Sequence, residues 1–249
     1  VLFEDVEGPV GKNGALAFAA RRSYIDVVLE AVLPEDLLSN LVAPRYYDYQ
    51  IRYTHEFSPR SRIDAMILGA DDLFKLYLEE KEGPEGQFFG TLATLFDFHM
   101  GLVRWEWEPE RDKRVRVTGR IGYNGFDVGL GDVFNLDVDS YAGDLRTEFI
   151  WDARDDLVLL SGIETNFQPY TFTGKVPPTP PKEGEQGTPP DLDDFITFTE
   201  TGDRIIVAPY VDLAWQVTDT LTLNPGLRFE SYQNSSGFSF LGLEPRFAT

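Results

Sequence analysis

Residues 44–64 read PRYYDYQIRYTHEFSPRSRID, two alternating segments separated by a four-residue gap. In the first segment one set of alternate residues is apolar and the other is polar: Tyr47, Tyr49, Ile51, Tyr53 and Phe57 against Asp48, Gln50, Arg52, Thr54 and Glu56. Because successive side chains of a strand point to opposite sides, this stretch predicts a strand with one apolar and one polar face. The apolar face must cover either a protein core or lipid.

The same alternation recurs along the chain, in residues 114–124, 144–152, 157–169, 204–217 and 221–231. These segments are typical of half-apolar strands, not of the strands of a buried parallel sheet. Counting them with weaker candidates gives 10 to 11 strands, of which the first and last are partial.

Three positions interrupt the pattern. In residues 94–108, Trp105 and Trp107 are out of phase with the apolar set Phe96, Phe98, Met100 and Leu102, and a bulge near Val103–Arg104 would restore them. Pro209 and Pro225 lie inside predicted strands, where bulges would accommodate the missing N–H groups.

The predicted connections alternate between short and long. Short ones cover about 8–14, 58–61, 109–113, 153–156 and 218–220, and long ones about 25–45, 71–91, 125–143, 170–203 and 231–242. Short turns at one end and long loops at the other are typical of outer-membrane barrels. The sequence therefore predicts an all-β fold: the antiparallel meander of a transmembrane β-barrel with short periplasmic turns and long extracellular loops.

The large aromatic residues support lipid contact. All four tryptophans and one phenylalanine precede a short turn by a few residues: Trp105, Trp107, Trp151, Trp215 and Phe57. Barrels gather such amphipathic rings at the membrane–water interface, whereas a soluble sandwich would distribute them through its core. We therefore predict these five as membrane-interface aromatics.

The polar faces predict a charged barrel lumen, with these candidates: Arg52, Asp48, Glu56, Arg114, Arg116, Arg120, Arg146, Glu148, Arg228 and Glu230. Pairing across strands would account for most of them, and contact with a ligand is the alternative. A sheet with two open edges is prohibitive in lipid, so residues 1–249 are predicted to be a partial barrel that needs further strands or partner chains.

The composition of the chain excludes several kinds of function and site. A net charge of -20 argues against nucleic-acid binding, and the absence of cysteine excludes disulfides and thiolate metal sites. The first residues, VLFEDVEG, lack the features of a signal peptide, which predicts either a removed signal or an internal piece. Residues 23–42 carry apolar residues at helical spacing and predict a short amphipathic helix.

Catalytic and metal chemistry find little support. No nucleophile–base pair, phosphate loop or zinc spacing occurs, so we predict a non-enzyme without a cofactor. Asp97 and His99 could form a lumen-side metal pair, but an interior hydrogen bond is favoured. The acidic segments 71–86 and 191–194 match no calcium loop, so no metal site is predicted.

Several phrases resemble TonB-dependent outer-membrane receptors. They are EGPVGKNGALAFAARRSYID (7–26), the opening stretch, the Asp-Asp of ILGADD (67–72) and LGLEPRFAT (241–249). The resemblance implies the first half of a large barrel, with a plug, later strands and a TonB-type energising complex as partners outside this chain. It implies no ligand, and no family ligand residue can be carried over.

The sequence thus predicts a receptor barrel of the bacterial outer membrane for uptake of a metal chelate or oligosaccharide. One alternative is a structural or adhesive barrel of an envelope assembly. The second alternative is a soluble β-sandwich that binds a partner.

Overall fold

The computed structural model describes residues 2–25, 28, 41–78, 90–131, 134–176 and 195–248. Within them the chain forms eleven β-strands, which confirms the predicted number. Their bounds are β1 Leu2–Val10, β2 Gly14–Arg22, β3 Leu41–Ser58, β4 Ser61–Leu78, β5 Gly90–Glu110, β6 Lys113–Leu130, β7 Phe134–Arg154, β8 Leu157–Val176, β9 Ile196–Thr218, β10 Leu221–Asn234 and β11 Ser239–Ala248.

The strands form a single antiparallel sheet. Each strand pairs with its neighbours in the chain, from β1 at one edge to β11 at the other. All eleven described strands belong to this sheet, so they do not form the two facing sheets that a sandwich requires. The fold is the predicted meander.

Five tight turns lie at one end of the sheet, at residues 11–13, 59–60, 111–112, 155–156 and 219–220. We call this the short-turn end and the opposite one the far end. Gly11 in the first turn has φ 68°, a backbone conformation that glycine adopts without strain.

Register divides the side chains between two faces. From β3 to β11, even-numbered residues pair with even-numbered residues of the neighbouring strand and odd-numbered residues pair with odd-numbered ones. Examples are Arg116↔Glu148 and Trp105↔Val117. Directly paired residues of an antiparallel sheet point to the same side. The even numbers therefore form one face, which we call the charged face, and the odd numbers form the apolar face; in β2 the parity is reversed, because Arg21 pairs with Asp48.

The two faces differ in exposure. Ala208 is 0% exposed, Glu148 6% and Tyr210 7%, and all three lie on the charged face. On the apolar face, Ile67 is 50% and Ile121 73% exposed. Charged side chains are thus packed against one another, while large apolar side chains project outward, as in a membrane barrel and opposite to a soluble fold.

Several predicted loop boundaries are wrong, because the strands are longer than the alternation indicated. β4 continues to Leu78, β8 to Val176, and β9 begins at Ile196, inside segments predicted as loops. The predicted loops 125–143 and 231–242 are mostly strand, with only 131–133 and 235–238 between β6 and β7 and between β10 and β11. Short and long connections consequently do not alternate without exception. Residues 26–27, 29–40, 79–89 and 177–194 lie outside the described residues.

The expected bulges do not occur either. Pairing of β5 with β4 and β6 runs through Val103–Arg104 without a register shift. The register of β9 with β10 is likewise unshifted around both prolines; the pairs next to Pro209 and Pro225 are interrupted, and pairing resumes in phase. Local loss of ladder pairing, not an inserted residue, accommodates each missing N–H group.

The predicted amphipathic helix falls mostly outside the described residues. Among those described, no helix has the length and apolar character needed to cross a membrane.

Candidate functional site

Ion pairs form a continuous ladder across the lower half of the charged face, near the short-turn end. In order across the sheet it runs Arg52–Asp64–Arg62–Glu106–Arg116–Glu148–Arg146–Glu164–Arg228–Glu244–Arg246, with Glu230 as a further partner of Arg228. Every link has an N–O distance of 4.0 Å or less. Six arginines face six carboxylates, so the ladder carries no net charge.

The ladder is most enclosed at Glu148. Its Oε1 accepts hydrogen bonds from Arg146 Nη2 at 2.8 Å and from the Tyr210 hydroxyl at 3.3 Å. Its Oε2 accepts from Arg116 Nη1 at 3.4 Å. The Arg146 guanidinium lies 5.5 Å from the centre of the Tyr210 ring. The Glu164–Arg228 ion pair spans β9 directly, and Tyr210 of β9 adds a hydroxyl and a ring beside Glu148 and Arg146.

This arrangement places the sequence-predicted polar residues on one face. Arg52, Arg116, Arg146, Glu148, Arg228 and Glu230 belong to the ladder. Three more make separate pairs: Asp48 with Arg21 at 2.6 Å, Arg120 with Asp144 at 2.6 Å and Arg114 with Asp152 at 3.7 Å. Glu56 lines a cavity of about 410 Å³ at the short-turn end, together with Arg60, Arg62, Glu106, Arg114 and Arg116.

A second cavity, of about 390 Å³, lies at mid-height on this face. Its polar wall includes Arg120, Asp144 and Asn166, and its apolar wall includes Leu102 and Ile206. Asn166 donates its amide to Asp144 Oδ1 at 2.7 Å. The cavity separates the ladder from a different surface at the far end.

That upper part of the charged face is aromatic. One row of directly paired residues crosses six strands, from β4 to β9: Asp72, Phe96, Phe126, Val138, Phe172 and Glu200. Phe96 is 43% and Phe126 37% exposed. Sequence reasoning missed this surface, because it assigned Phe96, Phe98, Met100 and Leu102 to the same face as the tryptophans. Their opposite phase to Trp105 was the available signal.

The apolar face carries a ring of aromatic residues at the short-turn end. Three indole N–H groups donate to polar residues in or beside a neighbouring turn: Trp105 to Ser61 at 3.1 Å, Trp151 to Asp112 at 3.1 Å and Trp215 to Asp156 at 3.3 Å. Trp107 stacks on Trp105 with ring centres 5.9 Å apart, and Phe57 contacts His55 at 4.9 Å. Each ring thus has a hydrogen-bond partner in or beside a turn, or an aromatic neighbour on the same strand.

A second aromatic group lies on the apolar face toward the far end. The Tyr49 hydroxyl lies 3.0 Å from His99 Nδ1, and Tyr123 donates to Asp139 at 2.5 Å. The Tyr123 and Tyr141 rings are 5.1 Å apart. A Cβ at Gly69 would come within 2.5 Å of His99 Nδ1, so glycine leaves room for the imidazole.

The lumen-side placement of Asp97 and His99 is therefore wrong, because both residues are odd-numbered and share the apolar face with Trp105. The predicted interior hydrogen bond is wrong in its location as well, because His99 contacts the Tyr49 hydroxyl on the apolar face. In the described part of the chain, no three acidic or histidine side chains converge as metal ligands. The acidic segment 191–194 and the end of 71–86 lie outside that part.

Arg22 interrupts the apolar side chains of β2. Its guanidinium lies 5.4 Å from the ring centres of both Tyr24 and Tyr47, and Arg45 lies 5.5 Å from Tyr47. Stacking on aromatic faces accommodates a cation where apolar residues give way to polar ones.

The class of fold is the β-barrel of TonB-dependent outer-membrane receptors, as the likeness to solved structures shows. The structure matches the ferric-catecholate import receptor Fiu of E. coli with TM-score 0.65 and 13% identity, over 99% of this chain and 48% of Fiu. It matches FpvA of P. aeruginosa, bound to an iron–pyoverdine, with TM-score 0.67 and 15% identity, over 98% of this chain and 37% of FpvA. The copper transporter OprC matches with TM-score 0.65 and 12% identity, over 98% of this chain and 39% of OprC.

The chain thus spans less than half the length of these proteins. No protein-family model matches the sequence, and no curated protein does. These neighbours are receptors and transporters by name.

Proposed function

We propose that residues 1–249 form part of the β-barrel of a TonB-dependent receptor, which imports a scarce nutrient across the bacterial outer membrane. The observation that carries this proposal is the sheet with one exposed apolar face and one paired, charged face. An exposed apolar surface of this extent is unfavourable in water and favourable in lipid.

The two aromatic groups have the spacing that a bilayer requires. In β7, Tyr141 precedes Trp151 by ten residues, about 33 Å along a strand. With the usual tilt of about 40°, that distance corresponds to an apolar band of about 25 Å. The short-turn end is then periplasmic, and the far end extends beyond the membrane.

The ladder forms the periplasmic half of the proposed lumen. Because its charges are paired, it offers a polar wall to water or to a plug without a strong field of one sign. The proposed partners are the bilayer, a plug, further strands that pair with the edges of β1 and β11, and a TonB-type energising complex. The nutrient is a metal chelate or an oligosaccharide; the ferric-catecholate and copper ligands in the neighbours' names support the former.

The experiment is the intact mass of the polypeptide that contains this sequence, extracted from the outer-membrane fraction. We expect a mass well above 28.2 kDa and copurification with the periplasmic domain of TonB. A mass equal to this chain, without TonB binding, would contradict a receptor and favour a structural or adhesive barrel. Recovery in the soluble fraction would contradict both.

A further inference from the structure

The phenylalanines of the aromatic row are flanked by a carboxylate on each side, and beyond Asp72 the row continues to Tyr46 of β3. Asp72 of β4 is paired directly with Phe96, and Glu200 of β9 is paired directly with Phe172. Directly paired side chains of an antiparallel sheet are about 5 Å apart at Cβ. The row therefore contains two aromatic–carboxylate pairs, with Phe126 between them on the same face.

Adjacent rows extend this surface with further rings. The Tyr170 ring lies over Gly202, where an added Cβ would come within 2.5 Å of it, and the Phe198 ring lies over Gly174 in the same way. Phe172 and Phe198 are 5.3 Å apart between ring centres. Absence of side chains at the two glycines lets Tyr170 and Phe198 lie along the sheet and present ring faces instead of edges.

Positive charge is sparse on this part of the face, within the described residues. Arg21 is paired with Asp48 at 2.6 Å and stacks over Tyr46. Arg204 lies two rows nearer the short-turn end, opposite Gln168. No lysine or arginine stands in the described row between Asp72 and Glu200.

The connections at this end add negative charge in the sequence. Residues 26–40, 79–89, 132–133 and 177–194 contain 14 acidic residues against two lysines, whereas the whole chain has a net charge of -20. Most of the excess negative charge thus belongs to segments that join strands at the far end. Such a charge distribution raises the local concentration of cations and repels anions.

We propose that the aromatic row binds an organic cation, whose positive group lies against Phe96 or Phe172 beside the adjacent carboxylate. Aromatic faces attract cations through the negative potential of the ring, and a nearby carboxylate adds to that attraction. A polyanionic ligand would meet carboxylates at both ends of the row and no cation within it. This inference rests on the proposed function, because the far end must face the medium from which a ligand arrives.

The test uses the complete polypeptide that contains this sequence, purified in an uncharged detergent, and three small aryl probes. These are phenyltrimethylammonium, benzyl alcohol and benzenesulfonate, with binding followed by saturation-transfer NMR titration. We expect phenyltrimethylammonium to bind about tenfold more tightly than benzenesulfonate, because ring faces and carboxylates both favour the cation.

Two variants locate the effect. Asp72→Asn combined with Glu200→Gln should lower the affinity for the cation and leave that for benzyl alcohol unchanged. Phe172→Leu should lower the affinity for the cation about three- to tenfold. The matched controls are Asp71→Asn and Phe167→Leu, which make the same changes on the opposite face and should leave the affinities unchanged.

Equal or tighter binding of benzenesulfonate, or an unchanged preference in the double variant, would overturn the inference. Binding of none of the probes would overturn it as well. These outcomes are independent of the mass and TonB measurements. If the protein binds TonB but prefers the anionic probe, only the proposed ligand class is refuted. If it binds the cation but not TonB, only the proposed receptor function is refuted.

Discussion

Trp151 of β7 donates its indole N–H to Asp112, 3.1 Å away, in the turn of the preceding hairpin. The backbone N–H of the next residue, Asp152, donates to the carbonyl of the same Asp112 at 2.8 Å. Trp215 repeats this relationship one hairpin later with Asp156, since Gln216 N–H also donates to Asp156 at 2.8 Å. Adjacent hairpins are therefore joined at the short-turn end by a recurring pair of hydrogen bonds.

This geometry fixes the expected depth of the tryptophans. In reconstituted vesicles, we expect lipids brominated near the headgroup to quench tryptophan fluorescence more strongly than lipids brominated at mid-chain, because the indole N–H groups reach the polar turns. Stronger quenching from mid-chain would place these rings inside the hydrocarbon and contradict an interfacial position.

The contribution of the Trp151 hydrogen bond to stability can be measured separately from that of the Trp151 ring. Trp151→Phe keeps an aromatic body and should lower the free energy of unfolding by about 1 kcal/mol, whereas Trp151→Ala should cost more through lost apolar contact. Urea unfolding in detergent, followed by the electrophoretic mobility of the folded barrel, measures both. Equal losses for the two variants would show that the ring body contributes nothing.

Glu148 is the least exposed charge of the ladder and accepts from three donors. Glu148→Ala should destabilise the barrel by about 1–3 kcal/mol, because Arg146, Arg116 and Tyr210 lose an acceptor together. Glu110→Gln is the control: its pair with Lys113 is 60% exposed on the glutamate side and should contribute little. Similar unfolding midpoints for both variants would contradict the importance of burial.

Gly162 separates Glu148 from Tyr210 within their row. A Cβ there would lie 2.5 Å from the backbone oxygen of Thr147, which cannot rotate away, and 2.7 Å from Tyr210. Gly162→Ala should therefore destabilise by about 1–3 kcal/mol. Gly119→Ala, with nothing within 4 Å, should be neutral, and a comparable loss there would argue against steric contact as the cause.

Asp137 lies beyond the proposed membrane band and is expected to make the folding stability depend on pH. Burial, with the neighbouring carboxylates of Asp139 and Asp127, raises the pKa of Asp137 above its usual 3.8. The folded state then binds the proton more tightly than the unfolded one, so stability falls as pH rises from the ordinary pKa through the raised one. Asp137→Asn should reduce that fall and raise stability at neutral pH.

The sequence predicted the number of strands and that the ten polar candidates share one face, because period-two alternation sets both once a strand is recognised. It failed on β5 for a physical reason. Near Trp105 the apolar side chains lie on the apolar face, but near Phe96 they lie on the charged face, opposite Asp97 and His99. β5 thus exchanges the polarity of its two faces without any bulge.

The loop boundaries failed for a related reason. Residues 125–130 of β6 and 134–143 of β7 are paired strand residues, yet their sequences do not alternate cleanly. Alternation of apolar and polar residues is expected only where one face meets an apolar environment, whereas strand pairing continues beyond that part. The aromatic row and its flanking carboxylates could not be predicted from the sequence. Their six residues come from six separate strands, and only the register of the sheet brings them side by side.

The ladder on the charged face runs across the strands, in the same direction as the backbone hydrogen bonds of the sheet. If the proposed barrel became wider, its sheet would be stretched along the circumference, which is the direction in which the ladder runs. Since most of its inner arginines and carboxylates bridge two partners, several links would have to open together. In the proposed barrel, the part of the wall that carries the ladder should therefore resist a change in diameter, and passage of a ligand would depend on movement inside that wall.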